Sequence, residues 1–247
     1  MIRAIFFDLD DTLCDAQPAF RAGRDAAFQA LLARWPDLDR ARVCATWERV
    51  NDELFVAVNA GTMLMAGARR ERFRRTLRAL DRADDAFADQ LDLLLGETQL
   101  RHLALFPDAA VLDTLRGQVR TGIITNGAGD AHPDSQRTKA AHLRLLDRVE
   151  GIWISDEMGA RKPDPHAFWP ACRALGLAPG ACLFVGDSLT NDIAGATSAG
   201  MRTALIRRDG APFVPAPGDP RPTYVLGELG ELPRLVAAAA ADPDQSL

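Results

Sequence analysis

Ile2-Arg3-Ala4-Ile5-Phe6-Phe7-Asp8-Leu9-Asp10-Asp11-Thr12-Leu13 runs from apolar residues straight onto acids, and the reading of this stretch decides the fold. Ala4 to Phe7 predicts a short buried strand. The strand delivers Asp8 at its end and Asp10 two residues later, and the two-residue period of a strand puts both on the same side. Two carboxylates that close repel unless one is protonated or a cation lies between them. A lone Asp after a strand more often caps a turn. Asp8-Leu9-Asp10-Asp11-Thr12 carries more acid than a turn needs.

Outward from this strand the pattern turns helical. Phe28, Leu31, Leu32 and Trp35 recur at helical spacing until Pro36 interrupts. Val43, Trp47, Val50, Leu54 and Val58 step along a single helix face, Phe73, Leu77 and Leu80 make a third stripe, and Phe87, Leu91 and Leu94 a fourth. Nothing in residues 14–103 alternates like a strand. This predicts a four-helix insert, with Trp35 and Trp47 as core residues. Within it, Arg69-Arg70-Glu71-Arg72-Phe73-Arg74-Arg75 reads as a solvated helix face. The competing reading sends one or two of these guanidinium groups to an anionic substrate.

From Phe106 onward, strand, loop and helix repeat. Asp108 is expected to cap a helix through Val111, Leu112 and Leu115. A strand from Arg120 ends at Thr125-Asn126-Gly127, and a helix follows from about Ser135 to Leu146. Gly151 to Ile154 is a third strand, trailed by Arg161-Lys162-Pro163-Asp164-Pro165, and a helix from about His166 to Leu175 comes next. Cys182 to Val185 is a fourth strand, opening into Gly186-Asp187-Ser188-Leu189-Thr190-Asn191-Asp192. A helix through Ile193 to Ala199, strands at Thr203–Ile206 and Tyr224–Leu226, and a helix from about Leu232 complete the chain. Alternating strands and helices predict an α/β fold, a Rossmann-like parallel sheet core with helices on both faces. The predicted domains are therefore a core of residues 1–13 and 104–247, disordered from about 241, and a helical cap of residues 14–103.

Ligands of such sheets bind beyond the carboxyl ends of the strands. Asp8, Asp10, Thr125, Lys162 and Asp187 all fall at or soon after such ends, and that convergence marks an active site. Asp8, Asp187 and Asp192 would concentrate negative charge, for which Mg2+ is the simple remedy in a site that leaves room for water and phosphate. Capping the next helix is the plainer role for Asp187 and Asp192, but capping does not need two acids. Lys162, held in a stiff Lys-Pro-Asp-Pro run, would balance charge and stabilise an anion in transfer. Thr125 and the backbone N–H groups of Asn126 and Gly127 suit phosphate oxygens.

The chain has 247 residues, 47% of them hydrophobic and 26% charged, enough for one large domain or a core with an insert. A net charge of -5 argues against a nucleic-acid surface. Cys14, Cys44, Cys172 and Cys182 show no metal or disulfide spacing and read as thiols in a reducing compartment. A strand that begins almost at residue 1 leaves no room for a signal peptide, and no apolar run reaches membrane-spanning length, so a cytoplasmic protein is expected. Oligomeric state is not legible.

Taken together, Asp8-Leu9-Asp10-Asp11-Thr12, Thr125-Asn126-Gly127, Lys162-Pro163 and Gly186-Asp187-Ser188-Leu189-Thr190-Asn191-Asp192 resemble, in order, the four motifs of the haloacid dehalogenase (HAD) superfamily. The insert resembles the all-helical cap of its subfamily I. The resemblance implies that Asp8 is a nucleophile forming an aspartyl-phosphate and that Asp10 is the general acid and base. It implies Mg2+ on the Asp8 carboxylate, the Asp10 carbonyl, Asp187 and Asp192, with Lys162, Thr125 and Asn126 holding the phosphoryl group. Dehalogenases of the superfamily lack an acid at the position of Asp10, because a halide leaving group needs no proton; this favours a phosphatase. A phosphonatase would need a cap lysine, and residues 14–103 contain none. A sugar phosphomutase stays open, as does, in a different class, a non-catalytic binding module. Ile124 to Gly127 and Val185 to Ser188 look most like the branch of pyrimidine 5'-nucleotidases and N-acylneuraminate-9-phosphatases, which implies a small phosphorylated metabolite such as a nucleoside monophosphate or sugar phosphate. Gly129-Asp130-Ala131-His132-Pro133-Asp134 departs from that pattern in being longer and more acidic, with His132 either solvated or lining an entrance.

Overall fold

The computed structural model describes residues 1–241, so the tail expected to be disordered lies, past Ala241, outside the described residues. Two compact units divide the chain. The first comprises Met1–Asp15, Ala104–Asn126 and Leu143–Leu247, described to residue 241. Its centre is a sheet of six strands, β1 (Ala4–Phe7), β2 (Arg120–Thr125), β3 (Ile152–Ile154), β4 (Cys182–Gly186), β5 (Arg202–Ile206) and β6 (Tyr224–Leu226). The order is β3-β2-β1-β4-β5-β6, and every pairing is parallel. The expected α/β architecture is therefore present, with β1 paired to β2 on one side and to β4 on the other.

Why β1 sits in the middle follows from its side chains. Both faces of Ala4-Ile5-Phe6-Phe7 are wholly buried, as a central strand of a doubly covered sheet requires. Ala4 and Phe6 pack with Phe184 against Ala167, Phe168, Ala171 and Cys172, and Phe168 meets Phe184 edge-on at 5.1 Å. Ile5 and Phe7 point to the other face. Because the chain adds β2 and β3 to one side of β1 and β4 to β6 to the other, the switch point lies between β1 and β4.

Between the strands run α5 (Val111–Leu115), α7 (Ser155–Met158), α8 (Trp169–Ala174) and α9 (Gly195–Ser198), and α10 (Leu232–Ala241) follows β6. Several depart from expectation. Asp108 does not cap α5; it sits inside a 3-10 turn, Pro107–Ala110, that leads into that helix. The helix expected over His166–Leu175 is split into a 3-10 turn, Pro165–Ala167, and α8, because Pro170 has no N–H to offer a helix interior and fits only near a helix start. The segment before α9 is a π-helical turn, Leu189–Ala194.

The second unit comprises Ala16–Leu103 and Gly127–His142. Its helices are α1 (Ala16–Arg34), α2 (Arg40–Asn59), α3 (Met65–Ala79), α4 (Asp85–His102) and the short α6 (Gln136–His142). Val43, Trp47, Val50, Leu54 and Val58 are the buried stripe of α2, as their spacing predicts, and Asp39 caps its first turn by accepting from the Arg42 N–H. Trp47 packs edge-on to Phe28 and Trp35 to Phe87. A boundary at 103/104 alone would leave residues 127–142 with the sheet; in the structure this stretch packs with the helices.

That packing changes the reading of the arginine run. Arg69 and Arg72 are 5% and 7% exposed, while Arg70 and Arg75 remain outside. Arg69 pairs with Asp130 at 2.6 Å, and both arginines approach Asp92 of α4, at 3.6 and 3.5 Å. His132 is mostly shielded from solvent: it lies 3.3 Å from Asp92 and accepts the Asp134 N–H. A Cβ on Gly96 would stand 2.9 Å from the His132 ring, so α4 can take the 129–134 loop this closely only with glycine there. No described helix is long and apolar enough to cross a membrane.

Candidate active site

Asp8 extends the β1 ladder by one bond, its N–H donating to the Val185 carbonyl at 2.9 Å. The backbone thus fixes the carboxylate at the carboxyl end of the central strand. Beyond it the chain turns sharply. Asp11 adopts a left-handed φ of 60°, its N–H donates to Cys14 O at 2.8 Å, and the Leu13 N–H donates back to Leu9 O. An Asp tolerates that conformation better than most residues.

Across the switch point, β4 ends at Gly186 and delivers Asp187, and the π-helical turn brings back Asp192. A Cβ on Gly186 would collide with the Asp192 carboxylate, so glycine is what allows Asp192 to lie against the strand end. Asp192 is fully buried; its Oδ2 accepts the Ser188 N–H at 3.0 Å and its Oδ1 accepts from Lys162 at 2.7 Å. Asp8, Asp187 and Asp192 each offer an oxygen within 4.8 Å of the others. Thr12 joins the two strand ends, its hydroxyl donating to Asp187 Oδ1 at 3.4 Å.

Lys162 lies within this group. Its side chain is 2% exposed, and its ammonium stands 2.8 Å from Asp8 and 2.7 Å from Asp192. The Phe184 ring lies under it at 5.0 Å. Asn126 sets its backbone: the carboxamide Nδ2 donates to Lys162 O and Oδ1 accepts from Lys162 N, both at 2.9 Å. Asn126, expected on phosphate, thus uses its side chain to clamp the lysine. Thr125 is the buried last residue of β2. Gly127 begins the stretch that packs in the helical unit, where a Cβ would crowd Gln136.

Of the residues singled out from sequence, the structure gathers Asp8, Lys162, Asp187 and Asp192. Asp10 stands outside the carboxylate cluster, with Oδ1 3.8 Å from the Cys14 thiol. Sequence reasoning missed Thr12 as a link to Asp187 and Gly186 as the reason Asp192 fits; both lie inside motifs that were read for their acids alone.

Electrostatics follow from three carboxylates around one ammonium. Burial pushes Asp8 up to about 7 against the pull of Lys162, with Asp192 and Asp187 adding to the rise. Asp187 is raised to about 6, first by burial and then by Asp192 and Asp11. Burial alone would lower Lys162, but Asp192 and Asp8 outweigh it and its pKa is raised. The lysine stays charged and the carboxylates remain under-compensated. Such an oxygen donor set fits a hard divalent cation.

The fold is a parallel α/β sheet with a charged cluster at its switch point, the place where proteins of this class bind their ligands. Comparison with known proteins sharpens this. The chain belongs to the haloacid dehalogenase-like hydrolase family, which matches residues 2–200. Human N-acylneuraminate-9-phosphatase is 31% identical over 95% of this chain and 94% of its own. Among solved structures, the 2-haloacid dehalogenase of Pseudomonas syringae pv. Tomato DC3000 is 29% identical with a TM-score of 0.72, covering 96% of this chain and 99% of that one. YfnB of Bacillus subtilis, solved bound to magnesium, is 26% identical with a TM-score of 0.68, covering 95% and 98%.

Proposed function

We propose that this hydrolase is a Mg2+-dependent phosphatase for a small phosphate monoester, with Asp8 as the nucleophile. The observation that carries the reading is the excess of carboxylate over ammonium around Asp8. Asp8, Asp187 and Asp192 would hold the ion, joined by the Asp10 carbonyl. Mg2+ would neutralise charge on the phosphoryl oxygens and return the raised carboxyls to their ionised state.

The remaining chemistry falls to the chain. Asp8 would attack phosphorus, splitting one displacement into two through an aspartyl-phosphate. Asp10 would protonate the leaving oxygen and then take a proton from the water that hydrolyses the intermediate. Lys162, kept charged by Asp192 and aimed by Asn126, would meet the equatorial oxygens with Thr125 and the backbone after β2. The likeness to N-acylneuraminate-9-phosphatase supports a phosphorylated sugar acid as substrate over a nucleotide. Four free cysteines fit a reducing, cytoplasmic setting.

The test is a panel of N-acylneuraminate 9-phosphate, hexose phosphates, nucleoside monophosphates and p-nitrophenyl phosphate, with Mg2+ or chelator. Phosphate release that requires Mg2+ and is fastest on the sugar acid is expected. The likeness to 2-haloacid dehalogenases makes 2-chloropropionate the counter-substrate; chloride release without phosphate release would replace this reading.

A further inference from the structure

Arg208 lies in the loop after β5, beyond the stretch that the family matches. Three contacts hold its guanidinium: Nη2 donates to the Thr12 carbonyl at 2.8 Å, Nη1 pairs with Asp108 Oδ2 at 2.7 Å, and Cζ lies 3.8 Å from the Phe106 ring centre. Asp108 is itself fixed, since the same Oδ2 accepts the Leu229 N–H at 2.8 Å. All five residues belong to the sheet unit.

Thr12 gives this anchoring its consequence. It is fully buried, follows the left-handed Asp11 in the turn after β1, and aims its hydroxyl at Asp187. A non-glycine residue in a left-handed conformation persists where surrounding contacts over-determine it. One line of contacts therefore runs from Asp108 through Arg208 and Thr12 to Asp187. We propose that Arg208 is a positioning residue for the active site: by bonding the Thr12 carbonyl it fixes the turn on which Asp10 stands and the hydroxyl that orients Asp187. A planar fork can donate to Thr12 and Asp108 at once while its face stacks on Phe106; an ammonium cannot.

The kinetic arm of the test rests on the phosphatase reading, while the exchange arm stands without it. Arg208→Met keeps a stem over Phe106 and removes both donors. Its kcat on p-nitrophenyl phosphate is expected to fall about 100-fold, the size of a misplacement on the order of an ångström, with KM unchanged. In the cation-free protein, amide hydrogen exchange at Leu13 and Cys14 should accelerate while β4 amides keep their protection, a local change that general destabilisation would not give. Arg208→Lys, which keeps the charge for Asp108, should recover only part of kcat. Wild-type kcat and wild-type exchange in Arg208→Met would overturn the proposal. If that variant does not fold, Arg208→Lys is decisive: a lowered kcat with intact β4 protection supports the proposal, and wild-type kcat overturns it. Should the wild type hydrolyse no ester, the phosphatase reading fails, and exchange at Leu13 and Cys14 still decides the role of Arg208.

Discussion

Replacing Lys162 by Met removes the ammonium and keeps most of the side-chain volume over Phe184. The ammonium is 2.7 Å from a carboxylate that is itself fully buried, so Asp192 loses the partner of Oδ1 at a place shielded from bulk solvent. Breaking a buried pair from one side costs about 3–5 kcal/mol. Relief comes from protonation of the neighbouring acids, so about 3 kcal/mol is expected at pH 8. For a chain of this size that corresponds to a Tm lowered by about 6–12 °C.

The pH dependence has a definite sign. Burial pushes Asp8 and Asp187 up to about 7 and about 6, above the ordinary carboxylate range, and losing Lys162 raises Asp8 further. Between pH 4 and 7 the folded state binds more protons than the unfolded one, so stability falls as pH rises through that window. The deficit of the variant should therefore shrink at pH 5 and be largest at pH 8. Calorimetry in chelator at both pH values measures this, and added Mg2+ should return part of the lost Tm at pH 8. A variant that melts with the wild type at pH 8, or shows the same deficit at both pH values, would refute the reasoning.

Other expectations rest on single contacts. Asp8→Asn should abolish phosphate release yet raise the Tm of chelated protein above pH 7, since one of the crowded carboxylates is gone; melting curves and activity are read together. Asp10→Asn should slow alkyl phosphates far more than aryl phosphates in single-turnover phosphorylation, because a good leaving group needs no proton. Gly186→Ala, which drives a methyl into the Asp192 carboxylate, should cost about 1–3 kcal/mol by denaturant titration. Asp92→Ala removes the acid that Arg69, Arg72 and His132 share, and limited proteolysis should then open residues 127–142 first.

What was legible before the structure depended on whether the controlling interaction is local. The Ala4–Phe7 strand, the acids at strand ends and the α2 stripe are encoded by spacing alone, and they lie where spacing puts them. On α4 the apolar spacing points to Phe87, Leu91 and Leu94, but the helix buries Leu91 and Leu95 together with Asp92, Thr98 and Gln99. A polar buried face gives no hydrophobic period, and its partners, Arg69, Arg72 and the 127–142 stretch, are distant in sequence. Similarly, Asp108 looked like a helix cap because its partner Arg208 lies a hundred residues on. In the site, motif order was enough to find Asp8, Lys162, Asp187 and Asp192. That the Asn126 carboxamide pairs with the Lys162 backbone depends on a contact across 36 residues, which no local pattern encodes.

Lys139 and Lys162 are the only two lysines in the chain, one in each unit, and both are buried, at 5% and 2% exposure. The surface cations are arginines. Both side-chain amines are therefore shielded from acylating reagents in the native fold, and each becomes reactive only when its own surroundings open. Mass-resolved labelling under native conditions would time the opening of the two units separately, with Lys162 reporting the carboxylate cluster and Lys139 the helices.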